Sequence, residues 1–262
     1  MSGIASVAAA VGELSATFSG RLLQPTDGAY DEARRVHNGL INKRPALIAQ
    51  RRGVADIVDA IQLARRLKFD VAVRGGGHNV AGRATIDGGV MIDLSQMKGI
   101  HVDPKARTAR AQGGLTWNEF NRETQLHSLA TTGGVVSTTG IGGLTLGGGL
   151  GWLMGKHALA LDNLLSVDLV LADGRILTAN GQLGDFVAEQ CELRSNASAA
   201  PRRMFPRHAS DQVAQLGVES RAADRVGPGL PAPVEPEALA VPDQHRGRLH
   251  DDETGPPARP QA

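Results

Sequence analysis

The stretch Val71-Ala72-Val73-Arg74-Gly75-Gly76-Gly77-His78-Asn79-Val80-Ala81-Gly82 decides how this chain is read. A short apolar run ends in an arginine and three glycines, so a strand feeds a loop stripped of side chains. Such a loop lets backbone N–H groups converge on an anion, as they do around phosphates. On these residues alone it is equally a flexible turn, and His78 more often a structural histidine than a functional one.

Working upstream, Val54, Ile57, Val58, Ile61, Ala64 and Leu67 recur at helical spacing, with Asp56, Asp59, Arg65 and Arg66 elsewhere, which predicts an amphipathic helix over 54–68. It lies between apolar stretches at 46–49 and 71–73, the size of a parallel crossover unit. A third strand, 90–94, follows Gly88-Gly89. Downstream, 100–111 reads as a hairpin about Asp103-Pro104-Lys105. Thr116-Trp117-Asn118-Glu119 is a capping box that predicts a helix over 117–127. A second hairpin, 166–172 and 175–179, turns at Asp173-Gly174. The first 40 residues carry a helix near 30–40. The fold class is α+β, a small parallel α/β part followed by an antiparallel α+β part. No repeat of 20–50 residues occurs.

A second glycine-rich run holds Gly133, Gly134, Gly140, Gly142, Gly143, Gly147, Gly148, Gly149, Gly151 and Gly155. Glycines at this density cost entropy in a regular element and suit close approach of backbone to a large ligand. Two such loops about 60 residues apart point to one extended ligand; a loosely structured insert is the alternative. No window satisfies GxGxxG, GxxxxGK[ST], HExxH or GxSxG, so a classical Rossmann site, a P-loop, a zincin site and a hydrolase elbow are unsupported. No metal site is expected.

With 262 residues and 41% hydrophobic content the chain is long enough for a sizeable core. Its net charge of +1 gives no footprint for nucleic acid or an anionic membrane. The single cysteine, Cys191, forms no intrachain disulfide. No apolar run approaches a membrane span, and no basic residue precedes the apolar 4–11 stretch, so a cytoplasmic protein is expected. Beyond Phe186 the composition changes: 10 of the 13 prolines stand at Pro201 or later, and segments such as PGLPAPVEPEALAVP lack periodicity, which predicts a largely disordered tail. The expected division is an N-terminal segment 1–40, a domain 41–180 and a divergent tail 181–262.

RGGGHNVAG at 74–82, IDLSQMKGIHVD at 92–103, GGLTW at 113–117, GGVVSTTGIGGLTLGGGLGWLMGKHALALDN at 134–163 and ADGRILTA at 172–179 closely resemble the FAD-linked oxidases of the berberine-bridge-enzyme-like group, within the vanillyl-alcohol-oxidase or PCMH-type flavin fold. The resemblance covers about residues 44–180. It implies FAD as cofactor, attached covalently through His78. It also implies that Arg74, Gly75, Gly76, Gly77, Asn79, Val80 and Gly82 wrap the pyrophosphate. Gly134, Val135, Ser137, Thr138, Gly140, Gly142, Gly143 and Leu144 match the second flavin-contacting loop, and Ile176 falls near the adenine side. Where some members carry a second, cysteinyl flavin link, this chain has Val136, so single attachment is implied. The activity implied is oxidation of a small alcohol- or sugar-type substrate with dioxygen as acceptor; a flavin-binding remnant without turnover is the alternative.

The resemblance ends after ADGRILTA. The family's LRGGGGNFG-like motif, its substrate-binding sheet and its NYxN-type signature have no counterpart, and the one tyrosine is Tyr30, so no catalytic base is assigned. A shift of reading frame near Asn180 would produce this change of composition; a nucleotide sequence in which no one- or two-base change restores the missing motif would exclude it. The alternative is a genuine divergent tail.

Overall fold

The computed structural model describes Ala9, residues 11–180 and residues 214–221. These fall within one unit of the fold, 1–226; the second unit, 227–262, lies outside the described residues, as does most of the predicted tail.

The parallel part is built on β2 (Leu47–Gln50), β4 (Val90–Asp93) and β3 (Val71–Arg74), paired in that order, with β1 (Arg21–Leu23) antiparallel on the outer edge of β2. Helix α2 (Val54–Leu67) crosses over between β2 and β3. It starts where Asp56 accepts from the backbone N–H groups of Ser19, Arg52 and Gly53, a carboxylate placed at the positive helix end. It stops at Lys68, which adopts φ 55°. Its buried face, Ile57, Ala60, Ile61, Leu63 and Ala64, packs on Leu47, Ala49, Val71, Val90 and Ile92. The opposite face of the sheet is covered by Leu23 and by Tyr30 and Ala33 of α1 (Tyr30–Ala33), against Ile48 and Met91. Burial on both faces explains why β2 and β4 read as continuous apolar runs rather than alternating ones. Each large aliphatic side chain so buried contributes about 1.5–3 kcal/mol.

The second sheet is antiparallel in the order β5 (Ile100–Asp103), β6 (Thr108–Gln112), β9 (Ala214–Arg221), β7 (Leu164–Val170), β8 (Ile176–Asn180). Both predicted hairpins form. Asp103 Oδ1 accepts from Lys105 and Ala106 N–H at 2.9 Å, and Gly174 adopts φ +88° at the second turn. Helix α3 (Trp117–Gln125) begins at the predicted box, with Glu119 accepting from Thr116 N–H at 2.7 Å. Trp117 and Phe120 pack with Ala109, Ala111, Leu115 and Ile141 as a second core. Short helices α4 (Ile141–Leu146) and α5 (Met154–His157) follow.

Three expectations change. The helix expected over 30–40 ends at Ala33, because the next residues spend their backbone groups on the 74–80 loop instead. The glycines of α4 hid a helix that the buried Ile141 anchors against a propensity cost of roughly 1 kcal/mol per glycine. Strand β9, inside the predicted tail, enters the sheet between β6 and β7; no strand was expected there.

Candidate functional site

The carboxyl ends of adjacent parallel strands are where open α/β sheets place ligands, and here β3 and β4 run out side by side. Arg74 and Asp93 are register partners. The Arg74 guanidinium grips the fully buried Asp93 carboxylate with two bonds, Nε–Oδ1 at 3.1 Å and Nη2–Oδ2 at 2.6 Å. Asp93 also accepts from Ser95 N–H and Gln50 Nε2. Burial alone would raise its pKa, but these donors and the Arg74 charge hold it below the usual carboxylate range. Arg74 is therefore first a structural residue, locking the mouth of the loop.

From Arg74 the loop turns through Gly75, Gly76 and Gly77, the last at φ +68°. The second glycine loop meets it backbone to backbone: a Cβ on Gly76 would stand 2.6 Å from Gly140 Cα, and one on Gly140 2.8 Å from Gly76 Cα. Only glycine at both positions permits this approach. The second loop is held by Trp117 N–H on Thr139 carbonyl, Asn118 N–H on Ser137 carbonyl, and Ile141 N–H on Leu115 carbonyl, all at 2.9 Å. Side chains at Gly133 or Gly134 would collide with the Trp117 ring.

Between the loops lies a cavity of about 280 Å³, walled by Arg74, Gly75, Gly76, His78 and Thr138 together with Arg35, His37, Ser95, Lys98 and Thr116. His78 Nε2 lies 3.2 Å from Thr138 Oγ1, and its face is stacked on His37 with ring centroids 3.6 Å apart. Burial, then the His37 charge, hold His78 below the ordinary histidine value, against an opposing pull from its own backbone. Lys98 bonds Glu119 at 2.6 Å and the Gly114 carbonyl at 2.8 Å.

The remaining predicted residues divide. Asn79 shapes the turn, its Oδ1 accepting from Ala81 and Arg83 N–H. Val80 projects to solvent while its carbonyl accepts from Asn38. Gly82, at φ +67°, backs onto Ile41. Val135 is half exposed, Gly142 is buried in α4, Gly143 faces open space, and Leu144 packs on the second core. Ile176 lies elsewhere, on β8, at the wall of a separate cavity with Met97, Ile100 and Ala111. Arg35, His37, Ser95 and Lys98 carry no signal in spacing or composition; only the fold brings them to the site.

The residues present suit an anionic group. Among the described residues the N–H groups of Gly76, Gly77 and His78 have no hydrogen-bond partner, and the cavity wall carries three cationic side chains, of which Arg74 is paired with Asp93 and Lys98 with Glu119. Buried polar atoms without a partner among those residues stand on Trp117, Thr131 and Thr132, around the second loop. No group of three or more His, Cys, Asp or Glu among the described residues is placed to hold a metal ion.

Residues 45–180 match the family model described as FAD binding domain. The chain belongs to this family, within the PCMH-type FAD-linked oxidases. FAD is its cofactor. The chain is 35% identical over 161 residues to (R)-6-hydroxynicotine oxidase of Paenarthrobacter nicotinovorans, covering 62% of this chain and 35% of that one. It is 37% identical over 157 residues to an FAD-linked oxidoreductase of Aspergillus terreus, covering 60% and 32%. Among solved structures, 6-hydroxy-D-nicotine oxidase of Arthrobacter nicotinovorans superposes with TM-score 0.66 at 29% identity, over 79% of this chain and 42% of that one. Glucooligosaccharide oxidase of Acremonium strictum shares the fold, with TM-score 0.64 at 24% identity, over 81% and 42%. The chain thus spans about a third of the length of these curated relatives.

Within this FAD-binding domain both glycine loops and the Arg74–Asp93 lock lie inside the matched segment, whereas His37, which covers His78, lies upstream of it.

Proposed function

We propose that this chain is the flavin-holding part of an FAD-dependent oxidoreductase that oxidises an alcohol- or sugar-type small molecule with dioxygen as acceptor, the flavin being attached through His78. What carries the proposal is the placing of His78 at the wall of the cavity where the two glycine loops touch. The free N–H groups of the first loop, with Arg35 and Lys98 at the wall, would hold the pyrophosphate; Thr138 and His37 would fix the imidazole. When bound, FAD supplies the chemistry, accepting a hydride from substrate and passing the electrons to dioxygen. The chain's contribution is binding, orientation and shielding. The glucooligosaccharide oxidase of Acremonium strictum carries a 6-S-cysteinyl, 8α-N1-histidyl FAD; Val136, where a cysteinyl link would form, leaves only the histidyl link open here.

A second reading, flavin binding without turnover, is favoured by one observation. Tyr30, the chain's one tyrosine, is buried with its hydroxyl donating to the Pro45 carbonyl at 2.6 Å, so it is unavailable as a proton acceptor for substrate. The visible spectrum of the purified chain before and after acid precipitation tests the proposal. Yellow colour retained in the precipitate, and lost from it in His78→Ala while soluble FAD remains bound, is the expected result. Acid-stable flavin in His78→Ala would refute attachment at His78. Flavin bleaching on addition of any of a panel of sugars and alcohols would reject the reading without turnover.

A further inference from the structure

His37 lies outside both glycine motifs and outside the matched family segment, yet it makes the closest ring contact among the described residues. Its imidazole lies on that of His78 at 3.6 Å between centroids and 17° between planes. The contact is not a chance meeting of two mobile side chains, because the backbone on either side is tied down. His37 N–H donates to the Gly77 carbonyl at 3.0 Å, Arg74 Nη1 donates to the Arg35 carbonyl at 2.8 Å, and Asn38 Nδ2 donates to the Val80 carbonyl at 2.8 Å. Residues 35–38 thus form a strap laid over the 74–80 loop, and the same bonds explain why α1 stops at Ala33.

We propose that His37 is a positioning residue for His78: the strap presses its ring on one face of the His78 imidazole while Thr138 meets the edge, and the pair presents the imidazole to the flavin in one fixed orientation. The inference rests on the reading of His78 as the attachment residue. Attachment joins a His78 nitrogen to the 8α carbon of the flavin in place of one imidazole N–H hydrogen and one C–H hydrogen. The two protons and two electrons released reduce dioxygen to hydrogen peroxide. The step needs an imidazole with a free lone pair held in line with one carbon, and a protonated His78 has none to offer. Burial of the His78 ring, then the stacked His37, disfavours the charged form of His78. The other charged groups at the wall are Arg35, Arg74 and Lys98; Arg74 is paired with Asp93 and Lys98 with Glu119.

The test follows acid-stable flavin against time and pH when the full-length chain, expressed under flavin limitation, is given FAD. In parallel, the His78 ring is titrated by NMR in the flavin-free chain labelled at histidine. His37→Ala should slow attachment by roughly tenfold or more while retaining non-covalent FAD. His37→Phe, which keeps a flat ring, should restore most of the rate. Both variants should shift the His78 midpoint, and the pH profile of attachment, upward. Attachment by His37→Ala at the wild-type rate, or equal loss of all FAD from both variants, would overturn the proposal. Should the wild-type chain form no acid-stable flavin, attachment at His78 fails as a reading. The positioning role then falls with it, while the titration still separates the two failures: an upward shift in both variants shows that His37 contacts His78 as described, and an unmoved midpoint shows that it does not.

Discussion

Replacing Gly76 by alanine is expected to prise apart the two loops that build the site. The new Cβ would stand 2.3 Å from Gly140 N, and ordinary contact begins at 3.4 Å, so the backbones must separate by about 1.1 Å. Neither side yields freely. Gly76 follows a strand locked by the Arg74–Asp93 pair, and Gly140 sits between the Trp117–Thr139 and Ile141–Leu115 hydrogen bonds. Overpacking of this kind costs about 1–3 kcal/mol, which lowers the melting temperature by roughly 2–12 °C for a domain of this size. The flavin cradle opens with the loops, so FAD per polypeptide falls as well. Thermal unfolding by circular dichroism and flavin absorbance on the same samples measure both effects. Gly140→Ala strains the same contact from the other side, so the double variant should lose less than the sum of the two. Gly155→Ala, in α5 with nothing within 4 Å of the new Cβ, should leave flavin content unchanged and raise the melting temperature slightly, by the helix propensity gained. A Gly76→Ala protein with wild-type melting temperature and full flavin content would refute the loop contact.

Asp93→Ala leaves Arg74 facing an empty, buried position and should cost about 3–5 kcal/mol, measured by urea unfolding. Because the folded pKa of Asp93 is depressed, its contribution is complete above the ordinary carboxylate value and is lost as pH falls through the folded one. Stability of the wild-type chain should therefore drop on acidification below about pH 4 more steeply than that of Asp93→Asn. Thr116→Ala removes the N-cap of α3 and should lower stability by about 1 kcal/mol, with a further loss of flavin since α3 anchors Ser137 and Thr139; unchanged flavin binding would separate the cap from the site.

Much of the fold was legible because its signals are local. Helix α2 shows its 3.6-residue period, the Thr116–Glu119 box closes as drawn, and the two hairpins turn at Asp103 and at Asp173-Gly174. What escaped was decided at a distance. Helix α4 forms despite its glycines because Ile141 has a buried place beside Leu115 and Trp117. Strand β9 is selected by the open edges of β6 and β7, which no local pattern reveals.

By itself the sequence determined the two glycine loops, the histidine that ends the first, and the α+β order of elements, since glycine content, capping residues and apolar periodicity act over a few neighbours. Only the tertiary structure decided that Gly76 and Gly140 touch, that Arg74 is spent on Asp93, and that His37 and Lys98 stand at the cavity beside His78. These contacts join residues 19 to 64 positions apart, and the packing of the two cores is the physical cause that brings them together.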